Sequence, residues 1–155
     1  MNPLPSDGYI CYLVTEHLKK ILSESTNTKL SLFNFFVLQY VDKCSEQDST
    51  ECTQYMISQA FLADTSKVNK AVRELESAEL LTATKIKQSG RIKKILAVTP
   101  PGKKLIEIHR AKTDAIAEQY LTAVHGRVNA DELFEAHNTT MAAFYDALKL
   151  YKNAC

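Results

Sequence analysis

The sequence predicts a mainly α-helical chain that carries one small β-hairpin. Three observations support this. Apolar residues recur every three to four positions through most of the 155 residues, the spacing of a helix with one buried face. Between Leu80 and Val98 the period falls to two. Only four glycines and four prolines are present to interrupt long helices. A chain of this length suits a single domain, residues 1–155, with a core of its own.

The elements follow in order. In residues 8–24, Ile10, Leu13, Val14, His17, Leu18, Ile21 and Leu22 stand at helical spacing. After the polar turn STNTK, a second helix fits 30–43 on Leu30, Phe33, Phe36, Val37, Tyr40 and Val41. Phe35 and Leu38 make it apolar around much of its girth, which predicts deep burial. CSEQDSTECT reads as a loop. Thr53 can then cap a short helix, Gln54 to Phe61, and Asp64 a further one to about Ser77, each by accepting a backbone N–H bond. The inward face of the latter is Val68, Ala71, Val72 and Leu75.

Two short helices joined so tightly are the pattern of a helix-turn-helix. Two strands follow, LLTATKI and the run through Ile92, Lys94, Leu96 and Val98, with Gly90 able to supply the positive φ of a tight hairpin. Strand-turn-strand directly after a helix-turn-helix is a wing. Thr99, Pro100, Pro101 and Gly102 open a long helix to about Ala123, since proline suits a first turn whose N–H groups lack intrahelical partners. Gly126 and Asn129 break the pattern. Asp131 caps a last helix to Tyr151, marked by Leu133, His137, Met141, Phe144, Leu148 and Tyr151.

The net charge of +1 is unevenly distributed. Residues 1–63 carry −3, residues 64–104 carry +6, and residues 105–155 carry −2. One basic segment between acidic flanks is expected if only that segment meets a polyanion, although a solvated charged face would give the same pattern.

DTSKVNKAVRELESAELL resembles the recognition helix and first wing strand of the MarR family of bacterial regulators. GRIKKILAVTPPGKKLIE resembles that family's second wing strand and the TxxG entry to its fifth helix. The resemblance covers essentially the whole chain. It implies a winged helix-turn-helix lobe (53–99) between long dimerisation helices at 8–43 and 100–155. The implied function is that of a dimeric, cytoplasmic transcriptional regulator, a repressor released by a small ligand.

Three departures mark the chain as divergent. Ser89 stands where the family's wing carries an Asp, Glu79 replaces a Gly before the first wing strand, and Leu62 replaces a turn Gly.

The first half of a recognition helix presents its side chains to base edges in the major groove. Here it offers Thr65, Ser66, Lys67, Asn69, Lys70 and Arg73, of which Asn can pair with adenine and Lys or Arg with guanine. Lys87, Arg91, Lys93 and Lys94 cluster around the hairpin, where Arg91 could enter a minor groove and the lysines meet phosphates. The expected partners are double-stranded DNA at a pseudo-palindromic site and a second copy of the chain.

The resemblance also implies a small aromatic or lipophilic inducer, for which Tyr12, Phe36, Tyr40 and Tyr55, with Tyr9 and Phe33, are candidates; aromatics at this spacing equally fit a core. Cys11 lies where the family's hydroperoxide sensors hold a reactive cysteine. The positions that would supply tyrosine hydroxyls to it are Leu32 and Phe35, so a small buried hydrophobe is the default and a thiol sensor the alternative.

Cys11, Cys44, Cys52 and Cys155 include no CxxC, and His17, His109, His125 and His137 are dispersed, so no metal is expected. No phosphate cradle, nucleophile elbow or HExxH occurs, which argues against an enzyme, and no cofactor is expected. No run of about 18 apolar residues exists. The polar start Met1–Ser6 does not read as a signal peptide, which predicts a cytoplasmic protein. The competing function class is a winged helix used as a protein-interaction module without DNA.

Overall fold

The computed structural model describes residues 7–25, 29–46, 51–88, 90–124 and 130–154. The elements run α1 (Asp7–Ser25), α2 (Leu32–Glu46), α3 (Gln54–Ala60), α4 (Thr65–Ser77), β1 (Leu81–Gln88), β2 (Arg91–Val98), α5 (Pro100–Val124) and α6 (Ala130–Ala154). This is a mainly helical chain with a two-stranded antiparallel wing, as the periodicity predicts. The chain forms two compact units, Met1–Ala111 and Lys112–Cys155.

The first unit is built around α2. Phe35, Val37, Leu38 and Val41 are fully buried, together with Ile57 of α3 and Val68, Val72 and Leu75 of α4. Leu81, Leu96, Leu105 and Ile106 complete the cluster. Each such side chain contributes about 1.5–3 kcal/mol by leaving water. The expected inward face of α4, Val68, Ala71, Val72 and Leu75, is the buried one. His109 lies buried with its ring 4.2 Å from that of Phe35.

Among the described side chains of α1, Ile21 and Leu22 are the buried ones. Leu13, Val14 and His17, which belong to the helically spaced stripe, are exposed. Phe36 is exposed as well, because the helix turns it away from the side occupied by its neighbours.

Both helices of the helix-turn-helix end in the same device. At the end of α3, Leu62 N–H donates to Gln59 O and Ala63 N–H to Ser58 O, 3.3 and 3.0 Å away. At the end of α4, Glu79 N–H donates to Glu76 O and Leu80 N–H to Leu75 O, both at 3.0 Å. These are Schellman motifs, which place one residue in the left-handed region. Those residues are Leu62, φ 49°, and Glu79, φ 57°. They are the two positions at which this sequence lacks the glycine of the family it resembles.

The helix starts differ. Thr53 Oγ1 accepts a bond from Met56 N, as expected. Asp64 takes the N-cap position of α4 with extended φ and ψ, but its side chain makes no capping bond; its carbonyl accepts from Val68 N instead. Helix α6 starts at Ala130, so Asp131 sits inside the helix rather than at its cap. The break at Gly126 and Asn129 lies outside the described residues.

The wing pairs Leu81 with Val98 through to Gln88 with Arg91. Gly90 turns the hairpin at φ 78°; Ser89 lies outside the described residues. A further bond, Leu96 N to Cys52 O at 2.9 Å, ties β2 to the segment before α3.

Candidate nucleic-acid interface

Burial of one side of α4 against α2 and α3 leaves the other side to solvent. Thr65, Ser66, Lys67, Lys70 and Arg73 are exposed and Asn69 is half-buried. The six candidates on this helix therefore share its outward side. Phe33 of α2 reaches the first turn, where Lys67 Nζ stands 4.3 Å from its ring centroid, which limits the ammonium's range without removing its charge. Lys70 Nζ is 3.9 Å from Glu74 Oε1, an exposed pair of small energetic weight.

In the wing the four candidates separate. Leu81 and Leu96 are buried, so their face of the hairpin is the core face. Strand alternation and the register put Lys85, Lys87, Ile92 and Lys94 on that same face, nearer the tip. Lys93 belongs to the opposite face and is engaged: its Nζ meets Glu51 Oε2 at 2.6 Å. Arg91 stands opposite Gln88 in the register; the Arg91 side chain lies outside the described residues.

Lys85, absent from the candidates drawn from sequence, lies directly opposite Lys94. Neither has an ion-pair partner among the described residues. Like charges facing each other across a strand pair are destabilising, so this arrangement favours a nearby polyanion. The signal was available, because alternation places 85 beside 87 and antiparallel pairing about Gly90 brings 94 to 85.

The entry to α5 holds the wing against α4. Thr99 Oγ1 donates to Glu79 O at 2.7 Å and accepts from Gly102 N at 3.2 Å. Thr99 N donates to Leu80 O at 3.1 Å. A Cβ on Gly102 would collide with Leu80 O and come within 2.8 Å of Val98 Cγ1. The TxxG pattern is thus a cap plus a close backbone approach.

Of the aromatic candidates, Tyr40 packs edge-on to Phe61, as does Phe33, with centroids 5.5 and 5.9 Å apart. Tyr12 and Phe36 are exposed, and Tyr55 is 71% exposed. The Tyr9 and Cys11 side chains lie outside the described residues. Nothing in the spacing of the cysteines indicates that Cys52 and Cys44 meet. Both side chains are buried, and burial first, then the neighbouring Cys44, pushes the Cys52 thiol far above its usual range.

No protein-family model and no curated protein sequence matches the chain. Solved structures do. The crystal structure of a MarR family transcription regulator superposes with a TM-score of 0.71 at 14% identity, over 94% of this chain and 88% of that one. MarR of Staphylococcus aureus, in complex with salicylate and kanamycin, gives 0.72 at 18% identity over 92% and 88%. A point mutant of MepR from S. aureus, bound to an oligodeoxyribonucleotide, gives 0.56 at 20% identity over 94% and 99%. The chain has the winged-helix fold of MarR-family regulators.

Proposed function

We propose that this chain is a transcriptional regulator that binds duplex DNA through α4 and the wing. The observation that carries this reading is the facing pair Lys85 and Lys94, beside Lys87, on a hairpin next to an outward polar helix side. Thr65, Ser66, Lys67, Asn69, Lys70 and Arg73 supply base-edge and phosphate contacts; Lys87, Arg91 and Lys94, joined by Lys85, supply contacts from the wing. Lys93 contributes less, because Glu51 already holds it.

The working form is a homodimer. Tyr12, Leu13 and Val14 on α1 are exposed, as are Met141, Phe144, Leu148, Leu150 and Tyr151 on α6. Apolar stretches of this extent fit a second copy better than water. A dimer sets two α4 helices on successive major grooves, hence a pseudo-palindromic operator.

The protein acts in the cytoplasm as a repressor released by a small ligand, in keeping with the salicylate-bound structure of the same fold. No helix among the described residues is long and apolar enough to cross a membrane.

Substituting Lys85→Gln or Lys94→Gln tests the reading. Each variant should bind duplex less tightly while unfolding at the same or higher denaturant concentration, because the repulsion is relieved. A loss of stability with unchanged duplex binding would contradict it.

A further inference from the structure

Beside the interface, between the chain entering α2 and the later turns of α4, lies an open recess of about 370 Å³ whose wall includes apolar Leu30 and Ala78 and polar Lys29, Asn34, Arg73, Glu74 and Ser77. Its one carboxylate is committed. Asn34, only 5% exposed and fixed on the core helix, donates from Nδ2 to Glu74 Oε2 at 2.6 Å. The other Glu74 oxygen faces Lys70. Lys29 and Arg73, both exposed, have no ion-pair partner among the described residues. Two available cations therefore flank a recess whose only acid among the described residues is already engaged at its wall.

Arg73 belongs to the outward side of α4, so the recess borders the side proposed to face DNA. We infer that the recess receives a phosphate of the DNA backbone, held by Lys29 and Arg73, so that Lys29 is a further DNA-contact residue. The inference rests on the regulator reading above. Sequence spacing does not suggest Lys29, which lies in a polar turn well before the helix-turn-helix; only the fold brings it to Arg73. A phosphodiester is the fitting occupant because it is a compact anion that offers acceptors to both cations at once. Such a contact carries no sequence information and shows as counterion release.

The test is fluorescence anisotropy on duplexes of unrelated sequence across a chloride series, for wild type, Lys29→Gln and Glu74→Gln, with thermal melts to confirm equal folding. Lys29→Gln should weaken binding to every duplex by one common factor and reduce the slope of log affinity against log salt by about 0.9 per bound protomer. Glu74→Gln keeps an acceptor for Asn34 while removing a negative charge, and should strengthen binding to every duplex.

An unchanged slope in Lys29→Gln, with wild type binding normally, would overturn the inference and leave the regulator reading intact. Loss on one duplex sequence alone would make Lys29 a base reader or a support, and would also overturn it. Inorganic phosphate at matched ionic strength that raises the wild-type melting midpoint, but not that of Lys29→Gln, would assign the recess to a free anion instead. A folded wild type that binds no duplex would remove the regulator reading, and this inference with it.

Discussion

The hydroxyl of Thr99 donates a 2.7 Å hydrogen bond to the carbonyl of Glu79, the residue that ends α4 in a left-handed conformation. One side chain thereby caps α5, through Gly102 N, and fixes the chain reversal that carries α4 into the wing. The two proposed contact elements, helix and hairpin, are set against each other by this junction. Replacing Thr99 with Val removes both bonds at nearly constant volume and should cost about 1–2 kcal/mol in urea denaturation. Thr99→Ser should restore most of it.

Glu79 and Leu62 occupy left-handed positions at a cost of roughly 1–2 kcal/mol each for a side-chain-bearing residue. Glycine removes that strain but makes the unfolded chain more flexible, at a cost of about 0.4–1 kcal/mol. Glu79→Gly should therefore leave stability unchanged or raise it by up to about 1.6 kcal/mol. Glu79→Val should lower it, since a β-branched residue tolerates positive φ poorly. Leu62→Gly should gain less than Glu79→Gly, because Leu62 is half-buried and glycine forfeits its contacts. Denaturant midpoints of the three variants check the order.

Gly102→Ala places a methyl group against the backbone carbonyl of Leu80, which cannot rotate away as a side-chain tip could. Overpacking of this kind costs roughly 1–3 kcal/mol. The variant should melt at a lower temperature and bind duplex less tightly, because the wing moves with Leu80.

Cys44 and Cys52 are both buried, and the Cys52 thiol is held in its neutral form by burial and by its neighbour. Alkylation by iodoacetamide at neutral pH should spare both in the folded protein and reach them on unfolding, as peptide mass mapping would show. The sign of the pH dependence follows from the raised folded value. Below the unfolded thiol's 9.0 both states keep the proton and the contribution is full. Above it the unfolded chain ionises first, and stability falls as pH climbs. Cys52→Ala should flatten that alkaline decline.

Much of this architecture was legible in the residues. The four apolar positions of α4 specify its buried side, and hence which candidates face outward. The change of period after Leu80 specifies the wing, and Thr99 with Gly102 specifies the start of α5. Helical periodicity marked the apolar stripe of α1 but not what covers it, since Leu13 and Val14 are exposed in the single chain. Propensity alone could not show that the Asp64 side chain leaves its capping role unfilled. The candidate interface was legible on α4, where one helix carries it, and less so elsewhere. Lys93 is set apart by Glu51, Lys85 is added by cross-strand register, and Lys29 is added by the approach of α2 to α4. Each of these depends on residues distant in sequence.

The most direct measurement is a titration of the protein into a fluorescent duplex bearing the region upstream of its own gene, at two salt concentrations, beside a scrambled duplex. Tight binding that weakens steeply with salt and prefers the upstream duplex is the expected result. A folded protein that binds neither duplex at low salt would contradict the regulator assignment and make the basic helix and wing a surface for a protein partner.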